Sequence, residues 1–202
     1  MDFGLARAAE RTGLSHVPLR IIVAEDEWIV AAAMRMQVES EGHEVVGTAT
    51  TGTKALDLIR SEHPDLVLMD VQMPELNGLD ATRQAMTSCP TSIVIVTGAG
   101  GLAEDSERAG AMAHAVKPVL RSQLPVLIAD AQQRFEQYSA VLRESAGPEE
   151  ALREWPTVRA AVRRLVETEG ISEEQAFARL RERASAHHLR LTEAAARLVV
   201  TN

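Results

Sequence analysis

Asp65-Leu66-Val67-Leu68-Met69-Asp70-Val71-Gln72-Met73-Pro74 is the stretch from which the fold of this chain is read. Leu66 to Met69 form a short continuous apolar run, which suits a strand buried on both faces of a parallel sheet. Asp70 follows at once, and Pro74 breaks the chain soon after. An acidic side chain therefore closes a central strand at its carboxyl end, the edge of an open α/β sheet where ligands and chemistry collect. Taken alone, an Asp in that position is more often a solvated turn residue than a reactive one, so its neighbours decide.

Outward from this strand, apolar runs alternate with helical periodicity. Residues 20–24, Arg-Ile-Ile-Val-Ala, read as a buried strand running into Glu25-Asp26-Glu27. A helix follows with Val30, Ala33, Met34 and Val38 on one stripe and Gly42 closing it. Residues 44–47 read as a strand, and 52–61 as a helix with Ala55, Leu56 and Ile59 inward. Beyond the central strand the pattern continues with a helix over 78–88, a strand over 92–96, a helix over 103–109 and a strand over 113–116. Five strands alternating with helices predict a doubly wound α/β fold with a five-stranded parallel sheet and right-handed crossovers. Residues 1–18 carry no sustained pattern and read as an N-terminal tail or a short frayed helix.

Composition agrees with a folded chain. In 202 residues, 46% are hydrophobic and only 3% aromatic, enough for one ordinary domain and a small second one. A single cysteine, Cys89, excludes an internal disulfide framework. No apolar run has the length of a membrane span and no signal-peptide pattern opens the chain, so a cytoplasmic protein without membrane contact is expected. The net charge of −8 is unevenly placed: residues 1–155 carry 13 basic and 23 acidic side chains, residues 156–202 eight and six. Only the C-terminal segment tilts basic, a weak pointer to nucleic acid.

In a parallel sheet all carboxyl ends share one edge, so Glu25, Asp26, Asp70, Thr97 and Lys117 are expected to converge there. Clustered carboxylates raise one another's pKa unless a hard cation shares them, and Mg²⁺ prefers such oxygen ligands. A hydroxyl and an ammonium nearby suit the oxygens of a phosphoryl group, whose transfer needs mainly positioning and charge neutralisation.

Glu25-Asp26, Asp70 followed by Val71-Gln72-Met73-Pro74 and Gly78, Thr97 with a small residue after it, and Lys117-Pro118 together resemble the receiver domains of two-component response regulators. The resemblance covers residues 19–135 and implies a flavodoxin-like receiver. It implies that Asp70 accepts a phosphoryl group from a sensor histidine kinase and that Asp26, Asp70 and the backbone carbonyl of Gln72 bind Mg²⁺, with Glu25 acting through water. Lys117 would contact the acyl phosphate and Thr97 would shift toward it. Such a domain is not an enzyme beyond its own phosphoryl transfer and slow autodephosphorylation. Aspartyl-phosphate hydrolases place a second Asp two residues after the nucleophile; here that position is Gln72, so Asp70 suits holding a phosphate more than turning one over. Receivers usually carry Tyr or Phe three residues before the lysine as a switch residue, and here His114 stands there, a titrating group. Gly98-Ala99-Gly100-Gly101 after Thr97 makes that loop loose, softening the step to output.

Leu124, Ile128, Ala131, Phe135, Tyr138 and Leu142 step alternately by four and three, a heptad seam that predicts a long helix pairing two chains, the alternative being that its first half packs on the sheet and the remainder is solvated. Residues 136–156 are read as a helical linker in which Gly147-Pro148 ends the long helix and Glu149 to Trp155, with Pro156, form a hinge or short helical turn. Residues 157–202 read as three helices: Val158, Val162, Leu165 and Val166 line the first up to Gly170; Ser172 and Gln175 form a capping box for the second, with Phe177, Leu180 and Ala184 inward; the third starts near Leu191 with Ala195, Leu198 and Val199 inward.

Gly170-Ile171-Ser172-Glu173-Glu174-Gln175-Ala176-Phe177, with Leu180, Ala184 and Ala161, resembles the ANTAR output domain, the RNA-binding module of transcription antitermination regulators. The resemblance covers 157–200. It implies that phosphorylation favours a homodimer whose bundles bind tandem hairpins in leader transcripts. The family's usual lysine is Val162 here, followed by Arg163 and Arg164, and its basic stretch is His187-His188; the candidate RNA contacts are Arg163, Arg164, Arg179, Arg183 and Arg190. An interleaved arginine and glutamate face is equally a solvated surface. A phospho-dependent module whose bundle docks on another regulator is the alternative function.

Overall fold

The computed structural model describes residues 17–98 and 100–200. Five strands, β1 (Arg20–Ala24), β2 (Glu44–Ala49), β3 (Leu66–Asp70), β4 (Ser92–Thr97) and β5 (Ala113–Val116), form one sheet in the order β2-β1-β3-β4-β5. Every neighbouring pair is parallel. The doubly wound sheet is thus as expected. Its strand order reverses between β1 and β3, and that switch point opens a crevice at their carboxyl ends.

Helices α1 (Trp28–Ser40), α2 (Gly52–Glu62), α3 (Gly78–Ser88) and α4 (Ala103–Ala109) connect the strands. The period-two alternation of buried strand residues divides the core. Ile22, Ala24, Val67, Met69, Ile93 and Ile95 pack with Ala55, Leu56 and Ile59 of α2 and Ala81 and Ala85 of α3. On the other face Ile21, Val23, Leu66, Leu68, Val94 and Val96 pack with Met34 and Val38 of α1. Ala33 is exposed, and Ala31 takes its place at the edge of this core, three residues before Met34, where the helical turn points inward.

Beyond the sheet run α5 (Leu124–Glu144), α6 (Pro148–Glu169), α7 (Glu173–Ala186) and α8 (Leu191–Val200). Three features depart from the sequence expectation. The heptad residues of α5 face their own chain: Leu124, Ile128, Ala131 and Tyr138 are buried, with Phe135 and Leu142 half-buried against the same core. The seam is occupied within the chain, so it is not an open surface for pairing two copies. Next, the stretch Glu149 to Pro156 is helical, as one of its two readings had it, and is no hinge. It lies inside α6, which starts at Pro148, where a proline is tolerated in the first turn. Ala151, Trp155, Val158, Ala161, Val162 and Leu165 form its buried face, and this packing carries the helix past the hydrogen bond that Pro156 cannot donate. Finally, Ala195 is buried and Leu198 half-buried as expected, but Val199 is exposed at 40%, and α8 also buries Leu191, Thr192 and Ala194. The capping box of α7 is present as expected, with Ser172 accepting from the Gln175 N–H and Gln175 accepting from the Ser172 N–H.

One core runs from the sheet through α5 into the C-terminal helices, where it includes Trp155, Phe177, Leu180 and Leu191. Trp155 packs edge-on against Tyr138 with ring centroids 5.7 Å apart. Burial pushes the Tyr138 phenol up to about 12. Its hydroxyl donates to the Pro148 carbonyl at 3.4 Å, which joins the middle of α5 to the start of α6.

Candidate functional site

The sheet register sets the site. Ala24 pairs with Met69, so Glu25 and Asp70, one residue further along each strand, emerge side by side. Asp70 pairs with Val96 and Thr97 with Val116, which places Thr97 and Lys117 over the next two strand ends. The Lys117 N–H donates to the Thr97 carbonyl at 2.8 Å, extending the ladder by one residue. Of the five residues expected to converge, Glu25, Asp26, Asp70 and Lys117 meet directly, and Thr97 is buried beside them at the end of β4.

Lys117 Nζ lies 2.6 Å from Glu25 Oε2 and 3.2 Å from Asp70 Oδ1. Glu25 and Asp70 are buried, at 1% and 4% exposure, so this ammonium supplies the charge that allows both carboxylates to sit there. Burial holds the Glu25 carboxyl above its usual range, against the pull of Lys117 and with a further push from Asp70. For Lys117 burial acts to lower the pKa, but the two carboxylates outweigh it and hold the ammonium above its ordinary value. Asp70 Oδ1 also accepts from the Val71 N–H at 2.8 Å.

The loop after β3 is closed tightly over Asp70. The Gly78 N–H donates to the Val71 carbonyl at 2.9 Å, and a Cβ on Gly78 would lie 1.9 Å from the Asp70 carbonyl oxygen. Only a residue without a side chain lets α3 start there. Asn77 caps that helix by accepting from the Asp80 N–H.

One oxygen each from Glu25, Asp26 and Asp70 lies within 4.8 Å of the others, with Asp26 exposed to solvent. Such an all-oxygen, anionic donor set fits a hard divalent cation of the Mg²⁺ type. Gln72 follows in the exposed part of the same loop, and His114 is exposed on β5.

The candidate RNA-contacting arginines do not form one open basic face. Arg179 and Arg183 both pair with Glu169, the latter at 3.0 Å. Arg190 pairs with Glu154 at 3.0 Å and Glu150 at 3.8 Å, tying the start of α8 to α6. Arg164 donates to the Val199 carbonyl at 3.4 Å. Arg163 reaches Glu107 of α4, 3.2 Å away.

A second cluster escaped the sequence reading. Arg159 of α6 lies between Glu107, at 3.5 Å, and Glu173 of α7, at 3.3 Å, while Glu173 also meets Arg134 of α5 at 3.3 Å. Burial works against a charged Glu173, but Arg134 and Arg159 prevail and hold its carboxyl below the usual range. These partners come from four helices and are too far apart in sequence for any local spacing to betray them.

Residues 21–129 match the family described as response regulator receiver domain, and residues 148–199 match the ANTAR domain. The transcriptional regulatory protein PdtaR of Mycobacterium tuberculosis is 36% identical over 163 residues, 80% of each chain. The chemotaxis protein CheY of Thermotoga maritima is 33% identical over 102 residues, 49% of this chain and 85% of that one. Among solved structures, a CheY-like receiver domain protein from Methanospirillum hungatei superposes with a TM-score of 0.55 at 28% identity, covering 60% of this chain and 98% of the other. The response regulator domain of Thermotoga maritima CheB gives 0.54 at 26% identity, covering 59% and 98%.

Proposed function

Because the chain belongs to the response regulators, as a receiver joined to an ANTAR domain, we propose that Asp70 is the phosphoacceptor through which a sensor histidine kinase controls RNA binding by the C-terminal helices. The protein then acts as a transcription antiterminator. The observation that carries this reading is the placement of the Lys117 ammonium between Asp70 and Glu25 at the switch point of the sheet.

The chemistry follows from the side chains. Oδ1 of Asp70 is engaged by Lys117 and the Val71 N–H, which leaves Oδ2 to attack the phosphorus of a phosphohistidine. An O–P bond forms as the N–P bond breaks, and the imidazole nitrogen leaves with the bonding pair. Lys117 is within reach of a phosphoryl oxygen on the product and offsets its charge. Asp26, Asp70 and the Gln72 carbonyl would hold Mg²⁺, with Glu25 acting through water. When bound, the ion neutralises charge on the phosphoryl oxygens. Thr97 would close on the acyl phosphate from the end of β4. Gln72 offers no general acid, so the aspartyl phosphate persists long enough to signal.

Phosphorylation would also favour a homodimer. With the α5 seam occupied internally, the surface for it is the cleft shared by Val116 and Val126, exposed at 51% and 70%. Tandem hairpins in a leader transcript suit the two bundles of such a pair.

Treatment with acetyl phosphate and Mg²⁺, read on a phosphate-affinity gel, tests the site. The wild-type chain is expected to take up one acid-stable, base-labile phosphoryl group, and Asp70→Asn none. Equal uptake by Asp70→Asn would overturn the assignment.

A further inference from the structure

We propose that Glu107 of α4 is an electrostatic latch: it holds Arg163, and with it the first ANTAR helix, against the receiver until α4 moves. The proposal rests on the RNA-binding reading above and names its regulation.

Glu107 is the one carboxylate paired with Arg163 among the described residues. It also reaches Arg159, but Arg159 is held independently, by Glu173 and by stacking over Trp155 at 5.9 Å from the ring centroid. If Glu107 withdraws, Arg159 keeps a partner and Arg163 does not. Arg163 is the more exposed of the two, with 58% of its side chain accessible against 12% for Arg159. The arginine set free is therefore the one placed to take a phosphate.

Helix α4 is built to move. It has seven residues and no side-chain cap, and it buries only Ser106 and Ala109. Glycines bracket it, with Gly101 at φ +92 before and Gly110 at φ +94 after. Upstream it continues from Thr97, whose shift toward an acyl phosphate at Asp70 would pull on the glycine-rich connection. Downstream, a Cβ on Gly110 would lie 2.6 Å from Leu152 Cδ1, so α6 is seated on the exit of α4. His114 lines the same cleft as Glu107, Arg134, Arg159 and Arg163. The residue at the receiver's switch position thus shares a cleft with the ion pairs that join the two domains.

Two readouts on the full chain test the latch, each with and without beryllofluoride and Mg²⁺: affinity for a tandem-hairpin RNA, and amide exchange of α4 and of residues 155–166. Glu107→Gln is expected to raise resting affinity by roughly three- to tenfold, the scale of one or two partly exposed ion pairs, and to shrink the gain from beryllofluoride by the same factor. Glu104→Gln, which removes only the surface pair with Arg108, is expected to leave that gain unchanged. Glu169→Gln is expected to raise affinity in both states alike, since Glu169 lies with its arginines inside the bundle. In the wild type, beryllofluoride is expected to speed exchange in both segments, and resting Glu107→Gln to show the faster rate already. A gain in Glu107→Gln equal to wild type, or exchange unmoved by beryllofluoride, would overturn the latch. Exchange that responds as expected with no RNA bound by any form would uphold the latch and overturn the RNA reading.

Discussion

Lys117 Nζ stands 3.2 Å from Asp70 Oδ1 while also pairing with Glu25, so a single ammonium balances two buried carboxylates. Removing it leaves them facing each other. Lys117→Met is expected to lower unfolding free energy by about 1–3 kcal/mol at pH 8 in EDTA, the cost of stranding a buried charge that water partly reaches. Glu25 has a raised folded pKa, so its charged form opposes folding, and stability falls as pH rises through that pKa. The deficit of Lys117→Met should therefore shrink on acidification toward pH 5. Urea titrations at the two pH values check this, and a deficit independent of pH would contradict it.

Gly78→Ala is expected to abolish uptake from acetyl phosphate and to cost about 1–3 kcal/mol, because its Cβ would fall 1.9 Å from the Asp70 carbonyl oxygen and must push the acceptor loop aside. Phosphate-affinity gels and chemical denaturation measure both effects. Wild-type uptake would show that the loop tolerates displacement.

Glu173 gives the junction between the domains a pH signature. Its folded pKa is depressed, so the pairs with Arg134 and Arg159 stabilise the chain above the unfolded pKa near 4.5, and that stability is lost as pH falls through the lower folded value. Glu173→Gln is expected to cost about 1–2 kcal/mol at pH 7 and progressively less below pH 4.5. Denaturant midpoints of the two proteins at pH 7 and pH 3.5 provide the comparison; a gap that widens in acid would contradict the network.

Val126→Glu tests the dimer surface. Val126 is 70% exposed on α5, so a charge there should leave the fold within about 0.5 kcal/mol while preventing beryllofluoride-linked dimerisation. Sedimentation at tens of micromolar distinguishes the outcomes. A dimer undiminished in the variant would move the interface elsewhere.

What the sequence made legible was local. The buried run 66–69 with Asp70 at its end, the capping box at Ser172 and the polar residues closing successive strands each depend on near neighbours, and the parallel sheet brings those ends to one edge. What it concealed was set by packing across the chain. The seam of α5 has the period of a coiled coil because the α6 surface and the sheet together ask for the same stripe that a partner helix would. Pro156 has the local chemistry of a hinge, yet Trp155 and Val158 beside it are buried and hold the helix through it. The arginines of the bundle read equally as RNA contacts or as a solvated face interleaved with glutamates, and the structure sets Glu107 and Glu169 against three of them.

Binding of the full chain to a tandem-hairpin RNA, measured across a salt series with and without beryllofluoride and Mg²⁺, tests most directly whether a phosphoryl group on Asp70 controls an RNA-binding output. Tighter binding with the mimic is expected, with an affinity falling linearly in log–log terms as salt rises and no response to the mimic in Asp70→Asn. Binding unaffected by the mimic, or equally enhanced in Asp70→Asn, would contradict that control.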